Sequence, residues 1–213
     1  MPNPSATTRA RKIKLILFDV DGVLTDGKIW IFPSPAVVQM PVAGSPTQTL
    51  LERSAQPAGR PEVGPHVATL IEAKGFHAHD GTGISLARHA RIKTGVITKR
   101  VSETVALRAR DLRIDHVYQG IQDKARVFKQ ILEIDGITAA EAAFVGDDVI
   151  DLPVMRKCGL AIATRNARPE VKAEAHWVTP HAGGDGAARD AVEYILKAQG
   201  RWKKAVADYI GEG

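Results

Sequence analysis

The sequence predicts an α/β protein built on an open parallel sheet, and three observations carry that reading. Short runs rich in Val, Ile and Leu recur along the chain, helical stripes separate them, and acidic or hydroxyl side chains follow where several runs end. A strand buried on both faces of a parallel sheet reads as a continuous apolar run. Strand–helix alternation of this kind calls for right-handed crossovers.

The first strand is "IKLILF" (13–18). "KIWIF" (28–32) and "TLIEAKGFHAH" (69–79) then read as two arms of a hairpin. Between them lie Pro33, Pro35, Pro41, Pro46, Pro57, Pro61 and Pro65, with Gly44, Gly59 and Gly64. That density bars a central strand or helix, so 33–66 reads as an irregular insertion at the hairpin tip, with a linker between two domains as the rival reading that the short N-terminal side disfavours. After a helix near 83–91 come the strand "TGVIT" (94–98), a helix over 102–112 and the weaker strand "HVYQG" (116–120). A helix over 122–134 places Val127, Phe128, Ile131 and Leu132 on one stripe. The strand "EAAFVG" (141–146), a helix over 149–157, the strand "GLAIA" (159–163) and a helix over 187–199 complete the pattern. The 213 residues are expected to form one domain, with hairpin and insertion at about 27–79.

The hydrophobic fraction of 44% and charged fraction of 25% are those of a soluble globular protein. The single Cys158 excludes an internal disulfide framework and fits a reducing compartment. The polar, basic start "MPNPSATTRARK" reads as no signal peptide, and no apolar run is long enough to span a bilayer. A cytoplasmic protein without a membrane partner is expected. The net charge of +5 raises nucleic acid as a partner, but much of it is terminal. The few aromatic residues do not interleave with basic clusters as a stacking platform requires. A solvated surface or attraction to a small anionic substrate fits better than nucleic acid.

Ligands of open α/β sheets bind beyond the carboxyl ends of the strands. At those ends the sequence delivers Asp19 and Asp21, then Thr98, Lys99 and Arg100, then Lys124, then Asp147, Asp148 and Asp151. Singly, each is an ordinary cap or surface lysine. Together they are a chemistry. Clustered carboxylates repel unless a cation lies among them, and oxygen ligands suit a hard ion such as Mg²⁺. A hydroxyl and a lysine suit a phosphate group, and a carboxylate can attack phosphorus to form an aspartyl-phosphate. Attack on a phosphate dianion meets repulsion of roughly 4 kcal/mol per charge pair at about 4 Å and an effective dielectric of about 20. A divalent ion and Lys124 would reverse that sign, which reads as metal-assisted phosphoryl transfer.

"DVDGVLTDG" resembles the nucleophile motif of the haloacid dehalogenase superfamily phosphatases, "ITKR" its threonine motif, Lys124 in "QGIQDKARVF" its lysine motif and "GDDVIDLPVM" its acidic motif. With "EAKGFHAHDGTGISLA", "LRIDHVYQGIQDK" and "GGDGAARDAV" in the same order, residues 12–197 resemble the capless branch typified by 3-deoxy-D-manno-octulosonate 8-phosphate phosphatase. The resemblance implies a Rossmannoid three-layer sandwich with a hairpin flap in place of a cap domain. It implies a Mg²⁺-dependent sugar-acid phosphatase of lipopolysaccharide biosynthesis, working as a homotetramer in which a neighbour's flap closes each site.

By the same resemblance Asp19 would be nucleophile and metal ligand. Asp21 would be the general acid/base, with its main-chain carbonyl on the metal, and Asp147 would complete the ligands. Asp148 and Asp151 would support them. Thr98 and Lys124 would hold the phosphoryl oxygens, and Asp80 and Gly81, with Lys99 and Arg100, would lie near the substrate. The chain departs from the branch at Lys99, where glycine is usual, at Asp185, where arginine is usual, and in the length of its insertion. A nonulosonic acid 9-phosphate or another sugar phosphate is therefore the alternative substrate, and a non-hydrolytic regulatory module is the rival of another class.

"HAH" (77–79) could offer a metal-ligand pair, but no further ligands converge on it, and flap side chains are the plainer reading. Cys158 reads as a small core residue. "GGDG" (183–186) fits a loop entering the last helix as well as an anion nest.

Overall fold

The computed structural model describes residues 4–33 and 70–211. The expected insertion at 33–66 lies outside them except for Pro33. The chain divides into two compact units, one of residues up to Lys28 and from Lys74 onward, the other Ile29–Ala73.

In the larger unit, β1 (Leu15–Phe18) is central in a six-stranded sheet with β4 (Lys93–Ile97), β5 (His116–Tyr118), β6 (Ala142–Gly146), β7 (Leu160–Ala163) and β8 (Trp177–Val178). The order is β5-β4-β1-β6-β7-β8 and every pairing is parallel. Phe18 is in register with Val96 on one side and Val145 on the other. The chain leaves β1 toward β4 and β5, then returns across the sheet to β6 and β7. Successive connections therefore depart to opposite sides at β1 and β6, which opens a crevice at the ends of these two strands.

Alternation along β1 divides the core into two layers. Ile16 and Phe18 pack with residues of α1 (Pro4–Ala10), α2 (Ala78–His89), α7 (Ala187–Ala198) and α8 (Trp202–Ile210). Leu15 and Leu17 face the other way, toward α4 (Lys124–Asp135), α5 (Leu152–Met155) and α6 (Pro169–Glu174). A further helix, α3 (Glu103–Leu112), contributes Val105 to the first layer. All of these β1 side chains are buried, so the rigid centre of the sheet carries whatever follows Phe18. The three-layer expectation holds.

Local signals set the helix ends. Asp123 caps α4 by accepting from the Arg126 amide at 3.0 Å, and Gly136, at φ +63°, closes it. Ser102 caps α3, and the expected stripe of α4 buries Val127, Phe128 and Ile131. Helix α2 starts five residues before its expected position, because His77 caps it and its two glycines pack inside the helix. A Cβ at Gly83 would come within 2.9 Å of Arg189 Cα, and one at Gly81 within 2.4 Å of the Arg108 guanidinium. These glycines thus allow α2 to lie close to α7 and α3. The helix expected over 149–157 is a 3-10 turn at Val149–Asp151 followed by α5. Helices α1, α6 and α8 and strand β8 have no counterpart in the sequence reading.

The smaller unit holds an antiparallel pair, β2 (Trp30–Pro33) and β3 (Leu70–Ala73), with Trp30 opposite Ala73. This is the expected hairpin, although 74–79 leave it for the start of α2. Trp30, Ile31, Phe32 and Ile71 are exposed.

Candidate active site

The chain turns sharply after β1. Asp19 continues the ladder by donating its amide to the Val145 carbonyl at 3.0 Å. The amides of Val23, Leu24 and Thr25 then all donate to the Val20 carbonyl. Asp19 is buried, while Asp21 is part-exposed.

Lys124 opens α4 with its side chain buried, and its Nζ lies 2.9 Å from Asp19 Oδ1 and 2.8 Å from Asp151 Oδ1. The other oxygen of Asp151 accepts the amides of Asp147 and Asp148 at 3.0 and 3.3 Å. Gly146 is required there, because a Cβ would lie 2.6 Å from Asp151 Oδ2. Asp148 is exposed and caps the following turn through the Val149 amide at 2.7 Å. Thr98 is buried at the end of β4, with its amide on the Tyr118 carbonyl.

One carboxylate oxygen each from Asp19, Asp147 and Asp151 lies within 4.8 Å of the others. Lys124 alone does not balance three acids. Burial first, then Asp151, pushes the Asp19 carboxyl up to about 6 against the pull of Lys124. Burial, Asp151, Asp19 and Asp148 push Asp147 up to about 8. Burial also works against the Lys124 ammonium, but Asp151 and Asp19 outweigh it and raise its pKa. Asp147 Oδ1 is buried with no hydrogen-bond partner among the described residues. An orphaned buried oxygen beside carboxylates of raised pKa suits a cation, and an all-oxygen donor set fits a hard divalent ion. Asp151 is the least available of the three as a ligand, since Lys124 and two amides already occupy its oxygens.

Asp21 faces two cations. Lys74 Nζ contacts Asp21 Oδ1 with its side chain wholly buried, and Arg100 Nε lies 3.8 Å from Asp21 Oδ2. Lys99, next to Thr98, is exposed. Asp80 lies between helices, where its carboxylate accepts the amides of Gly186 and Arg189 at 3.3 and 2.9 Å. It thus caps α7, and Gly81 beside it makes room for Arg108. His77 and His79 are spent on the start of α2, their rings edge-to-face.

The structure therefore gathers Asp19, Lys124, Asp147 and Asp151 into one bonded cluster and joins Arg100 to Asp21. The sequence assigns no role to Lys74, although its buried ammonium meets Asp21. Lys74 had one signal, its place in "EAKGF" ahead of the acidic "HDG".

Residues 97–189 match the haloacid dehalogenase-like hydrolase family. The 3-deoxy-D-manno-octulosonate 8-phosphate phosphatase KdsC of Salmonella typhimurium is 34% identical over 208 residues, covering 98% of this chain and 92% of the relative. The chain belongs to this family of haloacid dehalogenase-like phosphatases. It is a phosphoric monoester hydrolase. The phosphatase fold is also that of the Yersinia pestis 3-deoxy-D-manno-octulosonate 8-phosphate phosphatase, at TM-score 0.75 and 30% identity over 94% of this chain and 89% of that one. The Moraxella catarrhalis phosphatase, solved with magnesium ion, phosphate ion and KDO, aligns at TM-score 0.76 and 29% identity over 96% and 97%. No helix among the described residues of this phosphatase is long and apolar enough to cross a membrane.

Proposed function

We propose that this phosphatase hydrolyses 3-deoxy-D-manno-octulosonate 8-phosphate, with Mg²⁺ as cofactor and phospho-Asp19 as intermediate. The observation that carries the reading is the buried Lys124 bridge between Asp19 and Asp151 beside the orphaned Asp147 oxygen. The names of the relatives support the substrate, and the magnesium-bound relative supports the cofactor.

Asp19, the main-chain carbonyl of Asp21 and Asp147 would hold the ion, with Asp148 and Asp151 behind them. When bound, Mg²⁺ supplies positive charge to the phosphoryl oxygens and screens the approach of a carboxylate. Asp19 attacks phosphorus through a carboxylate oxygen as the bond to the sugar oxygen breaks. Asp21 gives its proton to that leaving oxygen, then takes one from the water that attacks the aspartyl-phosphate. Phosphate leaves and Asp19 is regenerated, so atoms and charge balance over the cycle. Thr98 and Lys124 hold the phosphoryl oxygens, Arg100 and Lys99 belong to the substrate side, and Asp80 and Gly81 act from behind it, where Asp80 caps α7. Uncatalysed phosphate-monoester hydrolysis is slow enough that enzymes reach accelerations of up to ~10²¹, a demand that calls for all of these groups at once.

Lys99 favours a second substrate reading. An added cation next to Thr98 suits a larger or more anionic sugar acid, such as a nonulosonic acid 9-phosphate. The exposed apolar side chains on both strands of the hairpin support assembly with further copies of the chain as a homotetramer. A lone buried thiol fits work in the cytoplasm.

A panel of phosphorylated sugars, ranked by kcat/KM with and without Mg²⁺, tests the reading. The expected result is Mg²⁺-dependent turnover, highest for the octulosonate 8-phosphate. Equal turnover in a metal chelator would refute the cofactor, and a nonulosonate ranked first would replace the substrate.

A further inference from the structure

The turn that carries Asp19 and Asp21 is gripped from behind by a side chain two residues past Thr164, the residue after β7. Asn166 Oδ1 accepts the Gly183 amide at 2.6 Å, and its Nδ2 donates to the Gly22 carbonyl at 3.1 Å. Only this orientation of the amide satisfies both partners, because the flipped one would oppose donor to donor and acceptor to acceptor. Thr164 Oγ1 adds a longer donation, 3.4 Å, to the same carbonyl.

The two groups that Asn166 joins belong to buried glycines with no room to move. A Cβ on Gly183 would fall 1.8 Å from the Gly22 carbonyl oxygen, and the Gly184 amide donates to the Val23 carbonyl at 3.0 Å. Gly22, at φ +92°, has its missing Cβ position 2.1 Å from Asp147 Oδ2. The far end of the glycine loop is fixed by Asp80 through Gly186 and Arg189. Packed main chain thus runs from Asp80 through 183–186 to Gly22 and ends against Asp147, and Asn166 is the side chain that ties its two loops together.

We propose that Asn166 is a positioning residue, which fixes the turn at 19–26 so that Asp19, the Asp21 carbonyl and Asp147 stay in register for one cation. The proposal rests on the Mg²⁺-dependent reading given above. A merely structural Asn166 would support stability and leave metal affinity alone. A positioning one must move affinity, because metal ligands hold their geometry through their outer partners.

The test is calorimetric titration of Mg²⁺ into wild type, Asn166→Asp and Asn166→Ala, with thermal melts and steady-state kinetics on the sugar phosphate. Asn166→Asp keeps the acceptor for Gly183 and replaces the donor to Gly22 with a charged oxygen that repels its carbonyl, while Asn166→Ala removes both bonds without adding charge. Both variants are expected to weaken Mg²⁺ binding about tenfold to a hundredfold and to lower kcat by a similar factor. KM should change by less than about threefold, since the loss falls on the transition state. Wild-type Mg²⁺ affinity in Asn166→Ala, which adds no charge to the site, overturns the proposal. If wild type itself binds no Mg²⁺, the underlying reading falls and the proposal with it. Should both Asn166 variants fail to fold, Thr164→Val removes the second donor to Gly22: weakened Mg²⁺ binding supports the proposal and unchanged affinity contradicts it.

Discussion

Lys124 Nζ lies 2.9 Å from Asp19 Oδ1, and both side chains are buried. This contact brings the opening of α4 to the end of β1, and Asp151 extends it by accepting the same ammonium at 2.8 Å. A buried lysine between two carboxylates is costly to desolvate, and it persists where removing one partner would strand the others.

Replacing Lys124 is therefore expected to harm both folding and turnover. Lys124→Met should lower stability by about 3–5 kcal/mol, because it leaves Asp19 and Asp151 buried without their cation. Urea unfolding measures this, and steady-state assay should show kcat reduced by at least about a thousandfold. A variant of wild-type stability and activity would contradict the account of the cluster.

Stability should depend on pH through the acids that Lys124 does not balance. Asp19 and Asp147 are raised from 3.8 to about 6 and about 8, so the folded protein holds protons that the unfolded chain has released. Without metal, this contribution is full below about pH 4 and is lost as pH rises through about 8. Mg²⁺ favours the charged carboxylates and should flatten the fall. The difference between Mg²⁺-loaded and metal-free unfolding free energies should thus grow from about pH 5 to about pH 8. Using the difference cancels groups such as His176, whose pKa is lowered and whose slope has the opposite sign. A difference that shrinks over this range would contradict the assignment.

Gly146 should tolerate no side chain. A Cβ there meets Asp151 Oδ2 at 2.6 Å, where that oxygen accepts the Asp147 and Asp148 amides. Gly146→Ala is expected to cost about 1–3 kcal/mol by overpacking and to weaken Mg²⁺ binding by displacing Asp151. Thermal melts and calorimetry check the two effects together.

The hairpin should govern assembly. Ile31 and Phe32 are exposed on β2, one on each face of the strand. Ile31→Lys with Phe32→Lys is expected to convert a tetramer in light scattering to smaller species. A tetramer unchanged by both substitutions would place the interface elsewhere.

Much of this arrangement was legible in the sequence, for reasons that individual residues show. β1, β4, β6 and β7 are buried on both faces and so read as apolar runs, and the acids directly after β1 and β6 follow from the positions of those strands. The start of α2 was not legible, because Gly81 and Gly83 carry loop signals locally while their tertiary role is close packing. β8 is only two residues long and presents no periodicity. Asp80 matched a substrate-side motif, yet its bonds to Gly186 and Arg189 join segments more than a hundred positions apart. The same holds for Asn166, whose partner Gly22 lies 144 positions away. Such pairings are products of the crossovers, and no local pattern announces them.

The central claim is that Asp19 accepts the phosphoryl group. Rapid acid quench of the Mg²⁺-loaded enzyme during turnover, followed by peptide mass spectrometry, tests it most directly. The account predicts one phosphoryl group on the peptide containing Asp19, and none in Asp19→Asn, which should also be inactive. Unmodified peptide during rapid turnover, together with robust activity in Asp19→Asn, would contradict it.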